Sequence, residues 1–457
     1  MKDRLSRIVT GLQADYADIR FEENLKTRIS FRGKKLTQFA SYDTSGGHVR
    51  VYTNGGKAIA SFSDAQQAER IARATTGSAQ LVGSKRAKPL RLADAPVITE
   101  SFPIVPAKDP RSVSMQEKLD LLAHYNELIL REPTVVTTEA DYDEFVSHRV
   151  FVTSEGTVIE YDILMVNIVG RIVTKKDGVV QRVRFAFGGT EDFGKLLDRD
   201  EELQKRVQTA RELLNAEPAR AGLYPVLLDP DEAGLFIHEA FGHLSEADGL
   251  QNNPAFRAKL QLGTVLGDPI LNVTDDPTLP AHPGTYVIDD EGVRGVPTRL
   301  ITKGVLTGRM HSRETAAEFD EPLSGNMRAV DAHYTPIVRM SNICIEQGES
   351  PFGEMVGSID HGYYLVGAKG GQTSGDQFTF GAQWGYRIEN GKLGPMVRDI
   401  NMSGELFSTL QAISMVGNDV SFGERGGCGK GMPQQLNRQS GKGAPHIKID
   451  QVTIGGI

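Results

Sequence analysis

The sequence predicts an α+β fold: an N-terminal antiparallel sheet with helices, followed by a β-rich C-terminal domain carrying a single motif helix. Three observations predict it. Long stretches of the first half alternate apolar and polar residues with period two, the mark of half-buried strands. Amphipathic segments with helical spacing interrupt them. The 49 glycines gather in the second half, where they favour tight turns and strands over long helices.

Taken in order, Met1 to Ala14 reads as a short amphipathic helix, and Tyr16 to Ser41 alternates in strand fashion. Gly46-Gly47 is expected to mark a hairpin turn before a second strand, His48 to Tyr52. Asp64 to Thr75 is helical, with Ser63 or Asp64 as N-cap, and Leu81 to Asp109 reads as a connecting loop. Ser114 to Arg131 is a second helix with Leu119, Leu121, Leu122 and Leu128 as its apolar stripe. Strands at Phe145–Val152, Val158–Val173 and Val179–Phe187 follow, then a charged helix over Arg199–Asn215. Residues 1–218 are therefore expected to form an N-terminal α+β domain, and 219–457 a β-rich domain. The second begins with a strand, Tyr224 to Leu228. A helix follows, with Asp229 in the cap position and Pro230 in its first turn.

A chain of 457 residues with 39% hydrophobic and 24% charged content is globular rather than disordered. A net charge of −8 argues against a nucleic-acid groove as its main surface. The first dozen residues lack the apolar core of a signal peptide, and no apolar run is long enough to span a bilayer. Only two cysteines, Cys344 and Cys428, are present, so disulfides do not frame the fold and a reducing cytoplasmic compartment is expected.

The most informative segment is His238-Glu239-Ala240-Phe241-Gly242-His243. Zinc binds imidazole nitrogen well, and a glutamate beside the metal can take a proton from bound water. The spacing is one residue longer than the zincin His-Glu-x-x-His. On a regular helix, residues five apart diverge by about 140°, so both rings meet one ion only if the helix distorts or ends between them. Gly242 permits such a break, as would a π-bulge. The apolar run Ala233–Ile237 puts the helix in a core, where a charged Glu239 requires compensation. A catalytic zinc takes three protein ligands and keeps one position open. The third is open among Glu246, Cys428 and one of His282, His311, His333, His361 or His446. Glu246 and Asp248 also suit supporting roles behind the ligands. Glycines flank Cys428 and leave its sulfur accessible, whereas Cys344 reads as a small core residue.

His238 to His243, Met415 to Asp419 and Gly427-Cys428-Gly429-Lys430 together resemble the TldD branch of the TldD/PmbA (TldE) zinc metallopeptidase family. Gly284–Val293, Pro322–Ala329, Pro336–Asn342 and Gly370-Gly371-Gln372 extend the likeness, most specifically over 224–457. The resemblance implies zinc held by His238, His243 and Cys428, with Glu239 as general base. It implies hydrolysis of small unfolded peptides, and a dimer formed either with a second copy or with a PmbA/TldE-like chain. The alternative is a partner-binding or regulatory subunit with a zinc site and little activity of its own. A structural zinc protein is disfavoured, since a closed site normally has four protein ligands.

Other features carry plainer expectations. Gly367 to Gln372 reads as a hairpin loop near the cleft, since it lacks the Walker pattern. Asp289-Asp290-Glu291-Gly292 reads as a solvated turn, with the alternative that its three carboxylates hold a peptide amine in the substrate cleft. Arg328 and Arg339 are expected either to bind substrate or to form ion pairs, and Trp384 to lie in the core.

Overall fold

The computed structural model describes residues 1–190, 192–251 and 253–455. The fold is α+β. Its N-terminal half is built on one seven-stranded sheet in which Gly56–Phe62, Lys35–Thr53, Tyr16–Arg32, Val135–Thr153, Val158–Lys176 and Thr99–Phe102 lie in that order, with Val179–Thr190 also on Val158–Lys176. All pairings are antiparallel except that of the short Thr99–Phe102. Lys35–Thr53 and Val135–Thr153, 19 residues each, are far longer than the expected His48–Tyr52 and Phe145–Val152, whereas the expected run Tyr16 to Ser41 divides into two strands after Arg32. Helices Lys2–Thr10, Ala68–Gly83, Met115–Leu130 and Asp200–Glu212 accompany them. Met115–Leu130 starts with a full capping box, Ser114 and Glu117 each accepting the other's backbone N–H.

Gly46-Gly47 is not a turn. Both lie within the strand Lys35–Thr53, and the chain reverses instead at Gly33, where φ is +58°. Gly47 pairs with Phe21 on one side and Phe62 on the other. A Cβ there would meet the Phe62 ring at 2.4 Å, so the glycine makes room for an aromatic side chain.

In the second half, His361–Ser374, Gly222–Leu228, Ile447–Gly455, Asn401–Glu405 and Gln377–Glu389 pair in sequence. The circuit closes because His361–Ser374 also pairs with Gln377–Glu389. Gly367 to Gln372 lies in a strand of this hairpin, at a bulge between Ala368 and Gly370, rather than in its loop. A separate six-stranded sheet contains Val273–Asp275, Asn342–Ile345 and Gly441–Ala444. Between the two sits the helix Pro230–Ala240, whose Phe236 meets Phe378 and Phe380 edge-on at 5.5 and 6.3 Å. Trp384 is buried and packs with the N-terminal core, as expected. Among the described residues no helix is long and apolar enough to cross a membrane.

The acidic triplet corrects the expectation of a solvated turn. Asp289, Asp290 and Glu291 are all buried, and the last two join the two halves of the molecule. Asp290 pairs with Arg20 and Arg149 of the N-terminal sheet and accepts from Tyr161 Oη at 2.6 Å and Ala329 N at 2.7 Å. Glu291 pairs with Arg50 and accepts from Arg313 N. Buried charges persist only where they are paired and hydrogen-bonded, as Asp290 and Glu291 are. Asp289 instead accepts from Glu291 N, Val293 N and Met327 N, and burial, with Glu291 adding to it, pushes its pKa up to about 8. Burial alone would raise the Asp290 pKa, but the guanidiniums of Arg20 and Arg149 outweigh it and hold the carboxyl well below its ordinary range. A carboxyl depressed in the folded state stabilises above its unfolded pKa of roughly 4, and that contribution is lost as pH falls below it. Asp290→Asn is therefore expected to cost several kcal/mol, at most about 3–5, at neutral pH, because it leaves the two buried guanidiniums of Arg20 and Arg149 with only Glu22 as a shared carboxylate. It should also flatten the acid limb of stability. Urea unfolding at pH 7 and at about pH 2, below the unfolded pKa, measures both effects, and equal midpoints for variant and parent at pH 7 would contradict the account.

Candidate metal centre

Asp229 caps the motif helix by accepting from Glu232 N at 2.8 Å, and its other oxygen accepts from Gly367 N at 3.1 Å. One side chain thus starts the helix and ties it to the neighbouring strand. Pro230 occupies the first turn. The helix then ends where the two-histidine spacing requires it. Ala240 is its last residue, Phe241 turns away with φ −117°, and Gly242–Ser245 forms a tighter 3-10 turn. Gly242 is closely covered: a Cβ there would meet Met340 Sδ at 2.2 Å and Ile343 Cδ1 at 2.9 Å, so both side chains would have to shift. The change of helical pitch carries His243 round to His238, and the two rings meet edge to face with centroids 5.5 Å apart.

Cys428 arrives from the far end of the chain. It starts a two-stranded hairpin, Cys428–Lys430 with Gln435–Asn437. Its Sγ lies 3.2 Å from His243 Nε2. One donor atom each from His238, His243 and Cys428 falls within 4.8 Å of the others. Among the described residues this is the one such His, Cys or carboxylate trio. The alternative third donors are engaged elsewhere. His282 stacks on Phe422, His311 bonds Thr315 and Glu321, His446 bonds Asp419 and Tyr364, and His333 and His361 are exposed.

The trio suits a soft divalent ion. His238 is buried, yet neither ring nitrogen has a hydrogen-bond partner. Such a group is costly unless something else binds it. Burial, with His243 adding to it, pushes the His238 pKa well below its ordinary value, so the ring is neutral and offers a lone pair. Around His243, burial opposes the charged form, but Glu246 and Cys428 outweigh it and push the pKa up to about 11.

Glu246 organises the surroundings. It is buried, and its Oε2 takes His243 Nδ1 at 2.9 Å and Lys430 Nζ at 3.0 Å, while Oε1 accepts from Met340 N at 3.2 Å. A carboxylate on Nδ1 sets the histidine's tautomer and leaves Nε2 free toward Cys428, the usual support behind a metal-bound histidine. Because Lys430 is two residues from Cys428, the same carboxylate ties the helix end to the cysteine hairpin. Lys430 also pairs with Asp248 at 2.6 Å and donates to Val338 O at 2.9 Å.

Among the described residues Arg328 and Arg339 form no ion pair. Both are buried and donate to backbone carbonyls. Arg339 holds Cys428 O at 2.6 Å and Gln435 O at 3.1 Å, so it spans the two strands of the cysteine hairpin. Arg328 holds Gln439 O and Met340 O. The fork of a guanidinium suits this spanning of carbonyls. Lys430 escaped the sequence reading as a supporting residue; its one signal was its place two residues after the flanked cysteine.

Glu239 sits at the rim. Its carboxylate lies 3.8 Å from His243 Nε2 and is 27% exposed, and its backbone oxygen accepts from Thr373 Oγ1 at 3.2 Å. Burial raises its pKa, against the pull of His243.

Three family models match the chain: PmbA/TldA metallopeptidase domain 1 at residues 17–78, the central domain at 108–216, and the C-terminal domain at 221–456. A metalloprotease of Synechocystis sp. is 38% identical over 451 residues, 97% of this chain and 95% of that protein. A zinc metalloprotease TldD homolog of Saccharolobus solfataricus is 29% identical, with 97% of each chain covered. The crystal structure of TldE from Thermococcus kodakarensis superposes over 99% of both chains with a TM-score of 0.76 at 18% identity, a likeness of fold.

Proposed function

Because this chain belongs to the PmbA/TldD family of metallopeptidases, we propose that it is a zinc-dependent peptidase hydrolysing small unfolded peptides, with His238, His243 and Cys428 holding the ion and Glu239 as general base. The observation that carries this reading is the buried His238 ring, both nitrogens unpartnered, beside His243 Nε2 and Cys428 Sγ. Two nitrogens and a sulfur are donors that zinc favours, and three protein donors leave room for substrate.

Zinc held by His238, His243 and Cys428 would supply a Lewis acid for a scissile carbonyl and would lower the pKa of water. The rest falls to the chain. Glu239 accepts the proton at its carboxylate and returns it to the leaving amine. Its partial burial raises its pKa in the direction a base working near neutrality requires. Glu246 keeps the Nδ1 proton of His243 in place. Lys430 and Arg339 keep the cysteine hairpin against the helix end. The β-rich half offers strand edges on which an extended peptide is bound by its backbone, which favours unfolded substrates. Cysteine usage, two residues and both free, supports a cytoplasmic enzyme. Its working assembly is a dimer, formed with a second copy or with a PmbA/TldE-like chain.

The test is cleavage of an unfolded peptide by zinc-loaded protein. Exhaustive chelation should abolish it, added zinc should restore it, and the same peptide locked in a folded domain should survive. Hydrolysis that persists undiminished in the chelated protein would overturn the reading.

A further inference from the structure

The strand Lys35–Thr53 is half covered. From Gly47 to Thr53 it lies between two neighbours, Tyr16–Arg32 and Gly56–Phe62. From Lys35 to Gly46 its only strand partner among the described residues is Tyr16–Arg32, so its outer edge is open there. Every residue from Lys35 to Ser45 is exposed except the half-buried Ala40. Leu36, Phe39 and Tyr42 show 40%, 46% and 49% of their surface.

Proteins usually blunt such an edge with prolines, lysines or bulges, because unpaired N–H and C=O groups template another strand. Here the lysines and the single bulge, at Thr37, sit at one end. The run Gln38-Phe39-Ala40-Ser41-Tyr42-Asp43 that follows is regular, without proline or lysine, and carries one charge.

We propose that this edge pairs antiparallel with the same edge of a second copy of the chain, about a twofold axis through Phe39. The commitment to a second copy comes from self-complementarity, which an isologous interface requires. With Phe39 facing its own copy, the bulge at Thr37 removes one residue from the count on the lysine side. Lys35 then comes opposite Tyr42 of the second copy, and Lys34 beside its Asp43. The two cations at one end of the segment meet the ring and the carboxylate at the other, twice over. Aromatic and opposite-charge cross-strand pairs of this kind stabilise sheets. The pairing would join two seven-stranded sheets into one and hide the exposed Phe39 and Tyr42 rings. It rests on the dimer proposed above and supplies its surface.

The experiment uses the full-length protein, with mass in solution read by light scattering across a concentration series. The parent is expected to be a dimer. Phe39→Glu places two like charges on the axis and is expected to raise the dimer dissociation constant at least tenfold, while the exposed position leaves the melting temperature nearly unchanged. In Phe39→Cys the opposed Cα atoms of an antiparallel pair, about 4.5–5.5 Å apart, lie within disulfide range. Mild oxidation should then link two chains, whereas Val105→Cys, 87% exposed and distant in sequence, should not link them. A parent that stays monomeric at high concentration overturns this surface and the pairing with a second copy, and leaves the dimer with a PmbA/TldE-like chain to be tested by mixing the two. A parent dimer that Phe39→Glu leaves intact and Phe39→Cys does not cross-link overturns this surface alone.

Discussion

Glu239→Gln is expected to keep its zinc and to lose roughly 10²–10⁴-fold in peptide hydrolysis, the range a positioned general base contributes. The substitution preserves size and hydrogen bonding but removes the proton acceptor. Glu239 is not one of the three clustered donors, and its carboxylate stands 3.8 Å from His243 Nε2 at a solvent-accessible rim. Its loss should therefore leave ion binding intact. The loss should fall on kcat rather than KM, since the proton transfer belongs to the transition state. Zinc content by mass spectrometry, read beside kcat and KM on an unfolded peptide, checks it. A Gln variant that cleaves at the parent rate removes Glu239 from the chemistry.

Cys428→Ser is expected to lose most of its bound zinc and with it all metal-dependent activity. Loss of a supporting hydrogen bond behind a ligand already weakens metal binding about 10–100-fold. Removal of a thiolate donor should exceed that. The fold should survive, because the hairpin is held by its own backbone pairing, by Arg339 on the Cys428 carbonyl and by Lys430 on Glu246 and Asp248. None of these contacts uses the sulfur. Zinc content and the melting temperature together separate a lost ligand from a lost fold. Unchanged stoichiometry in the Ser variant would take Cys428 out of the donor set.

Much of this was legible in the chain. Asp229 and Pro230 announced the start of the motif helix because capping and the first turn are local chemistry, satisfied within four residues. The five-residue spacing of His238 and His243 required a break, and Gly242 marked where it falls. Other signals misled. Gly46-Gly47 resembled a turn, yet the glycines accommodate Phe62 from a neighbouring strand. Asp289-Asp290-Glu291 resembled a solvated loop, because its partners Arg20, Arg50 and Arg149 lie well over a hundred positions away. Arg328 and Arg339 offered no hint that their partners were backbone carbonyls, those of the cysteine hairpin in the case of Arg339.

By itself, then, the sequence determined the α+β class, the helix with its built-in stop, and the donor types a soft ion prefers. These depend on periodicity, capping and side-chain chemistry, which act over a few residues. Tertiary structure alone decided that Cys428 Sγ comes to 3.2 Å from His243, that Glu246 bridges His243 to Lys430, and that Asp290 and Glu291 tie the second half to the N-terminal sheet. Each of these sets a group against another far along the chain. Such contacts are fixed by which buried charges must find partners and which faces must pack, conditions that arise only when the whole chain is folded.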